Sequence, residues 1–200
     1  MKRKLSDIAD ITQGSILTRI KAEHGELMKA ITMQQLSYYV NASDDSGNDN
    51  LIIVNPTKIE NLCVAEVGDL LIGLSSCKAM VIEEKDKGKV ILSNFIRVKA
   101  NEEVIDSNFL CWALNENKMI QSSMQSFVQG TTRVAIIPPT FFKNVEIDLI
   151  PLSKQKRIGQ TYQLIRKKTR LDRDKSKMMS LAYNEMLIEE YKKIMEENKQ

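Results

Sequence analysis

After Pro151 the chain contains no further proline, and only Gly159 interrupts a run of good helix formers that reaches Lys199. Ser153 can cap the start of a helix with its hydroxyl, and Pro151 just ahead of it cannot lie inside one. About 45 helical residues would measure roughly 70 Å at 1.5 Å per residue. The roughly 150 residues before them would fold to a body only about 30–35 Å across. Such a helix must project from the domain, bend back on itself or meet a partner. The expected division is therefore residues 1–151 as one domain and residues 152–200 as a long helical region.

Apolar spacing within that region favours a partner. Ile158 and Ile165 are seven apart, with Tyr162 between them and Leu164 and Leu171 flanking. Leu181, Ile188 and Met195 repeat at the same interval, with Leu187, Tyr191 and Ile194 on the same side. This is coiled-coil spacing in two short pieces. They are out of register across Asp172-Arg173-Asp174-Lys175, where a kink, stutter or hairpin is compatible with the pattern. The candidate partner-facing residues are Ile158, Tyr162, Ile165, Leu171, Leu181, Ile188, Tyr191 and Met195. The competing reading is one amphipathic helix lying on its own domain.

Before Pro151, short apolar runs separated by turn residues indicate a mixed domain of helices and strands. Leu51–Val54, Leu70–Leu74, Ala79–Ile82, Val90–Leu92, Phe95–Val98 and Val145–Ile150 read as strands. Gly68-Asp69 and Lys85-Asp86-Lys87-Gly88 read as turns between them. Two helices are expected, one starting near Asp106-Ser107 and one over Lys118–Phe127. Asn41–Asn50, with Asp44-Asp45-Ser46-Gly47-Asn48-Asp49 at its centre, reads as an exposed loop. Gly130-Thr131-Thr132-Arg133 reads as another. The expected class is α+β: a mixed α/β domain followed by a long coiled-coil-type helix.

Charge is unevenly spread. Residues 1–152 carry 16 Lys+Arg against 19 Asp+Glu, and residues 153–200 carry 13 against 7. Ten of the basic residues lie between Lys154 and Lys177, opposed only by Asp172 and Asp174. Such a stripe suits nucleic acid, and it equally suits a solvated helix face. The three cysteines, Cys63, Cys77 and Cys111, are odd in number and far apart, as expected of reduced thiols in a cytoplasmic protein. No apolar run approaches the roughly 20 residues of a membrane span. Met1-Lys2-Arg3-Lys4-Leu5-Ser6-Asp7 has basic residues but no apolar stretch behind them, unlike a secretory signal.

Catalytic signatures are few. His24 is the only histidine, so a histidine-based triad is conceivable only there and no metal cluster can be assembled from histidines. It lies between Glu23 and Gly25 and reads as a surface loop residue. Neither Gly-x-Gly-x-x-Gly nor a P-loop is present. Asn55-Pro56-Thr57 is not the Asn/Asp-Pro-Pro-aromatic motif of a base-modifying methyltransferase. Asp69 followed by Glu83-Glu84-Lys85 has the order of a metal-dependent nuclease core. The same residues are equally what hairpin ends look like.

Taken in order, several segments resemble the DNA specificity (S) subunit of type I restriction–modification systems, in a half-subunit form with one recognition domain. Leu5-Ser6-Asp7-Ile8-Ala9-Asp10-Ile11-Thr12-Gln13-Gly14 is similar to the opening of that family's recognition domain. The likeness continues through Gly68-Asp69-Leu70-Leu71-Ile72-Gly73-Leu74-Ser75, Ser93-Asn94-Phe95-Ile96-Arg97-Val98 and Gln129-Gly130-Thr131-Thr132. It ends at the hinge Ile150-Pro151-Leu152-Ser153-Lys154-Gln155-Lys156-Arg157-Ile158. Leu152 stands where the family often has a second proline, and Ser76-Cys77 where glycine is common.

The resemblance implies a non-catalytic subunit that reads half of a split double-stranded DNA target through base edges, with phosphate contacts setting register. The helix would be a spacer and a platform for a methyltransferase (M) subunit. S-adenosylmethionine would belong to that partner and ATP to a restriction/motor (R) subunit, leaving no cofactor on this chain. One recognition domain implies a dimer, either a homodimer through antiparallel helices reading an inverted repeat, or a pairing with a different half. Loop positions with suitable chemistry are Arg19, Lys21, Gln34, Gln35, Ser75, Ser76, Lys78, Thr131, Thr132 and Arg133. Arg19, Lys78 and Arg133 suit guanine or phosphate best. Rival readings are a coiled-coil adaptor that binds no DNA, a nuclease using Asp69, Glu83 and Lys85, and a silent cassette without partners.

Overall fold

Side-chain alternation along the short strands divides the domain into two main cores on opposite faces of one sheet. The computed structural model describes residues 1–40, 50–129 and 136–197. From the N-terminus come β1 (Lys2–Lys4), β2 (Ala9–Gln13), α1 (Leu17–Ile20), β3 (Lys21–Ala30) and α2 (Met33–Tyr39). Next are β4 (Asn50–Val54), β5 (Leu70–Gly73), β6 (Ala79–Val81) and β7 (Phe95–Ala100). The remaining elements are α3 (Ser107–Glu116), α4 (Lys118–Gln129), α5 (Pro139–Lys143), β8 (Glu146–Asp148) and α6 (Leu152–Glu197). The fold is α+β, a mixed domain followed by a long C-terminal helix.

The central sheet has the order β2-β7-β5-β6, antiparallel throughout. All four residues of β5 are buried, because both faces of the sheet are covered. Leu70 and Ile72 join Ile96, Val98, Phe109, Leu110 and Leu114 in one core beneath α3. Leu71 points the other way, joining Ile31, Leu36, Tyr39, Ile82, Ile91 and Phe95 in a second core that includes α2. A third, smaller core lies under the β3–β4 ribbon, around Ile20, Ala30, Ile52, Val54 and Val90. β1 pairs with β8, so the N-terminus is stapled beside the hinge that opens α6.

Ser153, expected to cap the long helix, is instead its second residue, because the helix starts at Leu152. Asp106 caps α3, its carboxylate accepting the Phe109 N–H at 2.8 Å. At α2, Thr32 and Gln35 form a reciprocal capping box, each bond 3.1 Å long. Two further expectations are corrected. Val90–Leu92 joins no named strand, because three separate segments share it: Ala30 and Val64 bridge to Val90, and Ser15 bridges to Leu92. The last strand covers only Glu146–Asp148, since β1 supplies just three partners. Residues 41–49 and Gly130-Thr131-Thr132-Arg133, read as loops from the sequence, lie outside the described residues.

Helix α6 is 46 residues long, about 69 Å at 1.5 Å per residue. Its first half packs on α3, whereas every residue from 175 to 197 is exposed. The helix therefore projects from the domain. Among the described residues, no helix is long and apolar enough to cross a membrane.

Candidate nucleic-acid interface

Several connections meet at one end of the central sheet. Strand register places Gln13, Gly73, Ala79 and Phe95 together there. The β5–β6 turn closes with the Gly73 N–H donating to the Lys78 carbonyl at 3.0 Å and the Cys77 N–H to the Gly73 carbonyl at 2.9 Å. Leu74 donates to the Asn94 carbonyl and accepts from the Ile137 N–H, each at 3.0 Å. The turn is thus flanked by the approach to β7 and by the chain that follows residues 130–135. Gly73 leaves no space for a side chain: a Cβ there would lie 2.5 Å from Ser76 Oγ and 2.7 Å from Leu36 Cδ2. Helix α2 presses on the turn and helps to shape it.

This geometry sorts the candidate base-reading residues. Ser75 and Ser76 are exposed on the β5–β6 turn, and Gln34 is exposed on the adjacent first turn of α2. Arg19 and Lys21 are exposed where the chain leaves the same sheet end through Gly14 and Ser15. Lys78 is half-buried, with Nζ 3.5 Å from the Asn115 carbonyl. Gln35 is withdrawn from the set, because it is buried and its amide is committed to the α2 capping box. Four of the candidates are not loop residues: Gln34 and Gln35 sit on α2, Arg19 on α1, and Lys21 at the start of β3. Thr131, Thr132 and Arg133 lie outside the described residues. His24 is exposed, as expected, but it belongs to β3 within an irregular stretch where the pairing shifts between Lys21 and Glu26.

The residues of the nuclease reading face different cations. Asp69 is buried with Oδ2 3.6 Å from Arg97 Nε, and burial raises its pKa. Glu83 accepts from Arg170 at 2.9 Å and lies 3.7 Å from Lys85 Nζ. Tyr39 donates to Asp86 at 2.6 Å, and Lys89 pairs with the other Asp86 oxygen at 2.9 Å. Burial, helped by the bond to Asp86, pushes the Tyr39 phenol upward, so it stays a neutral donor. Glu83 and Lys85 thus belong to a network around Tyr39. Among the described residues, no group of three or more His, Cys, Asp or Glu is placed to hold a metal.

That network belongs to the face of α6 that meets the domain. Gln155, Gly159, Tyr162, Arg166, Arg170 and Arg173 recur at steps of four, three, four, four and three, a single helical stripe. The Gln155 amide accepts from Asp106 N–H at 3.0 Å and donates to the Val104 and Ile150 carbonyls at 3.1 and 2.8 Å. Tyr162 accepts from Asn115 at 3.1 Å. The same Asn115 amide pairs with both backbone groups of Ala79, satisfying the outer edge of β6. Arg166, Arg170 and Arg173 stack over Tyr162, Tyr39 and Tyr38 at 4.9, 4.6 and 4.8 Å from the ring centroids.

Two expectations for the helix change accordingly. Tyr162 is buried in the domain contact and is withdrawn from the partner seam, and Ile158 is partly buried against the core beneath α3. Three of the ten basic residues in the 154–177 stripe are turned onto the domain. Ile165, Leu171, Leu181, Ile188, Tyr191 and Met195 remain 41–63% exposed. Sequence reasoning missed Tyr38, Tyr39, Asn115 and the three arginines. The four-three spacing of the stripe was the available signal, but its members are polar and a search for apolar spacing passes over them.

No family model matches this sequence, and no curated protein matches it. Solved structures do match in fold. One is a chain from a structure of complex assembly and conformational transition in the type I R-M system, with TM-score 0.61 and 15% identity over 94% of this chain and 47% of that one. The HsdS subunit from Thermoanaerobacter tengcongensis gives TM-score 0.54 and 16% identity over 88% and 39%. The type I restriction-modification system S subunit from M. genitalium gives 0.54 and 12% over 92% and 42%. At these identities the likeness is one of fold, and the chain spans less than half the length of each of these three structures.

Proposed function

We propose that this chain is a half-length, non-catalytic specificity subunit of a type I restriction–modification complex, reading one half of a bipartite duplex through the sheet end that carries Ser75, Ser76 and Gln34. The observation that carries this reading is the division of labour on α6. Its polar stripe is committed to the domain, while Leu164, Ile165 and Leu171 stay 58–68% exposed. A helix that binds its own domain through arginines and shows leucines to water is arranged for an outside partner. The shared fold supports the class of partner, and the half-subunit form is part of the proposal.

In this reading Arg19, Lys21 and Lys78 flank the turn as phosphate or guanine ligands. A second copy pairs through Ile165, Leu171, Leu181, Ile188, Tyr191 and Met195, placing two reading ends on one rod. A methyltransferase subunit carrying S-adenosylmethionine docks on the same helices, and a motor subunit carries ATP.

Selection from a duplex library tests the proposal, using two randomised blocks separated by gaps of varied length and the full chain as bait. The expected result is one short motif enriched in both blocks, in inverted orientation, at one gap. Uniform recovery of all sequences and gaps would contradict it.

A further inference from the structure

Helix α6 meets the domain along one stripe. At its inner end, Gln155 and Gly159 pack against the start of α3, and a Cβ at Gly159 would lie 2.5 Å from the Phe109 nitrogen. Tyr162 and Arg166 continue the contact, through Asn115 and the Val40 carbonyl. The outer end lies about 16 Å beyond Gly159, eleven residues at 1.5 Å each. It is built from arginine and tyrosine side chains. Arg170 stacks on Tyr39 and pairs with Glu83 at 2.9 Å, with its side chain only 9% exposed. Arg173 stacks on Tyr38 and donates to the Tyr38 carbonyl at 3.4 Å, while the Tyr38 hydroxyl donates to Asp174 at 2.5 Å.

Contact confined to the inner end would hold the rod over a short lever, whereas contact carried out to Arg173 fixes its direction over a longer one. The geometry points to Tyr38, Tyr39, Arg170 and Arg173 as a clamp that fixes the angle at which α6 leaves the domain, and through it the gap between half-sites. The gap clause rests on the function proposed above. Planar stacking and forked pairing suit the task because they fix orientation as well as distance, which a sliding aliphatic contact does not. Tyr38 and Tyr39 also end α2, whose other end packs through Met33 and Leu36 against Gly73 beside the reading turn. Helix α2 is thus a strut that references the rod directly to the recognition end.

The lever is long. Beyond the clamp, 23 exposed residues extend about 34 Å, so a 10° swing moves the tip about 6 Å, close to two base pairs at roughly 3.4 Å each. A loose pivot would blur the gap without altering either half-site.

Pulsed electron spin resonance tests this on the full chain. Labels go on Lys118→Cys and Glu189→Cys in a Cys77→Ser background, diluted with unlabelled chain so that each distance arises within one molecule. The expected distribution is narrow in this background and in Tyr38→Phe, which keeps the ring beneath Arg173. It is expected to widen roughly twofold in Arg170→Ala/Arg173→Ala, the scale of the tip motion above, while the far-ultraviolet circular dichroism is unchanged. In duplex selection the double variant is expected to enrich the same half-site over a wider range of gaps. An unchanged distance width overturns the clamp whatever the DNA result. Widened distances with an unchanged gap preference overturn its role in setting the gap. Failure of the parent chain to enrich any site overturns the functional reading and leaves the distance result standing.

Discussion

At the scale of single residues, the join between α3 and α6 rests on two positions with little tolerance. Alanine at 159 would gain about 1 kcal/mol of helix propensity over glycine. Its methyl would lie 2.5 Å from both the Asp106 carboxylate and the Phe109 nitrogen, however, and the latter is backbone that cannot give way. Gly159→Ala is therefore expected to lose about 1–3 kcal/mol net by urea unfolding. Gln155 is 1% exposed and serves three backbone groups. Gln155→Leu leaves them without their partner and is expected to cost at least about 2 kcal/mol. Stability should also fall in alkali. Burial pushes Cys111 from 9.0 to about 12, and Tyr162 from 10.0 to about 12. The unfolded chain therefore loses these protons first, so their contribution is complete below pH 9 and declines as pH rises towards 12. A urea midpoint that falls between pH 9 and 11 is the expected observation, and a flat or rising one contradicts it.

At the scale of elements, α6 is two helices in function. The part before Asp174 is built into the domain, and the part after it remains exposed along its whole length. Ending the chain after Asp174 is expected to change domain stability by less than about 0.5 kcal/mol, while abolishing self-association. Loss of folding on that truncation would contradict the division. The length of α6 was legible because proline and glycine are the strongest helix breakers and residues 160–200 contain neither. The β5, β6 and β7 strands were legible as short buried apolar runs. The ten-residue β3 was not: Lys21-Ala22-Glu23-His24-Gly25-Glu26 shows no alternation, because most of it faces water and its pairing is irregular. Helix α2 was hidden by brevity, seven residues held by a capping box and tertiary contact. The reading face was legible only as residue types. Which of them share an end follows from strand register, and the packing of α2 separates the exposed Gln34 from the buried Gln35.

At the scale of the molecule, ten large apolar side chains lie exposed among residues 178–195 of a helix that has left its domain. Pairing would remove them from water, and antiparallel pairing would also bring Glu185, Glu189, Glu190, Glu196 and Glu197 of one copy towards the basic stretch 154–168 of the other. Leu181→Lys with Ile188→Lys is expected to yield a folded monomer with the domain's thermal midpoint preserved. The account turns on this chain being half of a reader. The most direct measurement is sedimentation mass of the full chain across a dilution series at moderate salt, alone and with the duplex recovered by selection. The account expects a mass twice the 22.8 kDa of one chain, and two chains per duplex that fall to weak, unsaturable binding when one half-site is scrambled. A monomer at every concentration that still fills the duplex one chain at a time would contradict it.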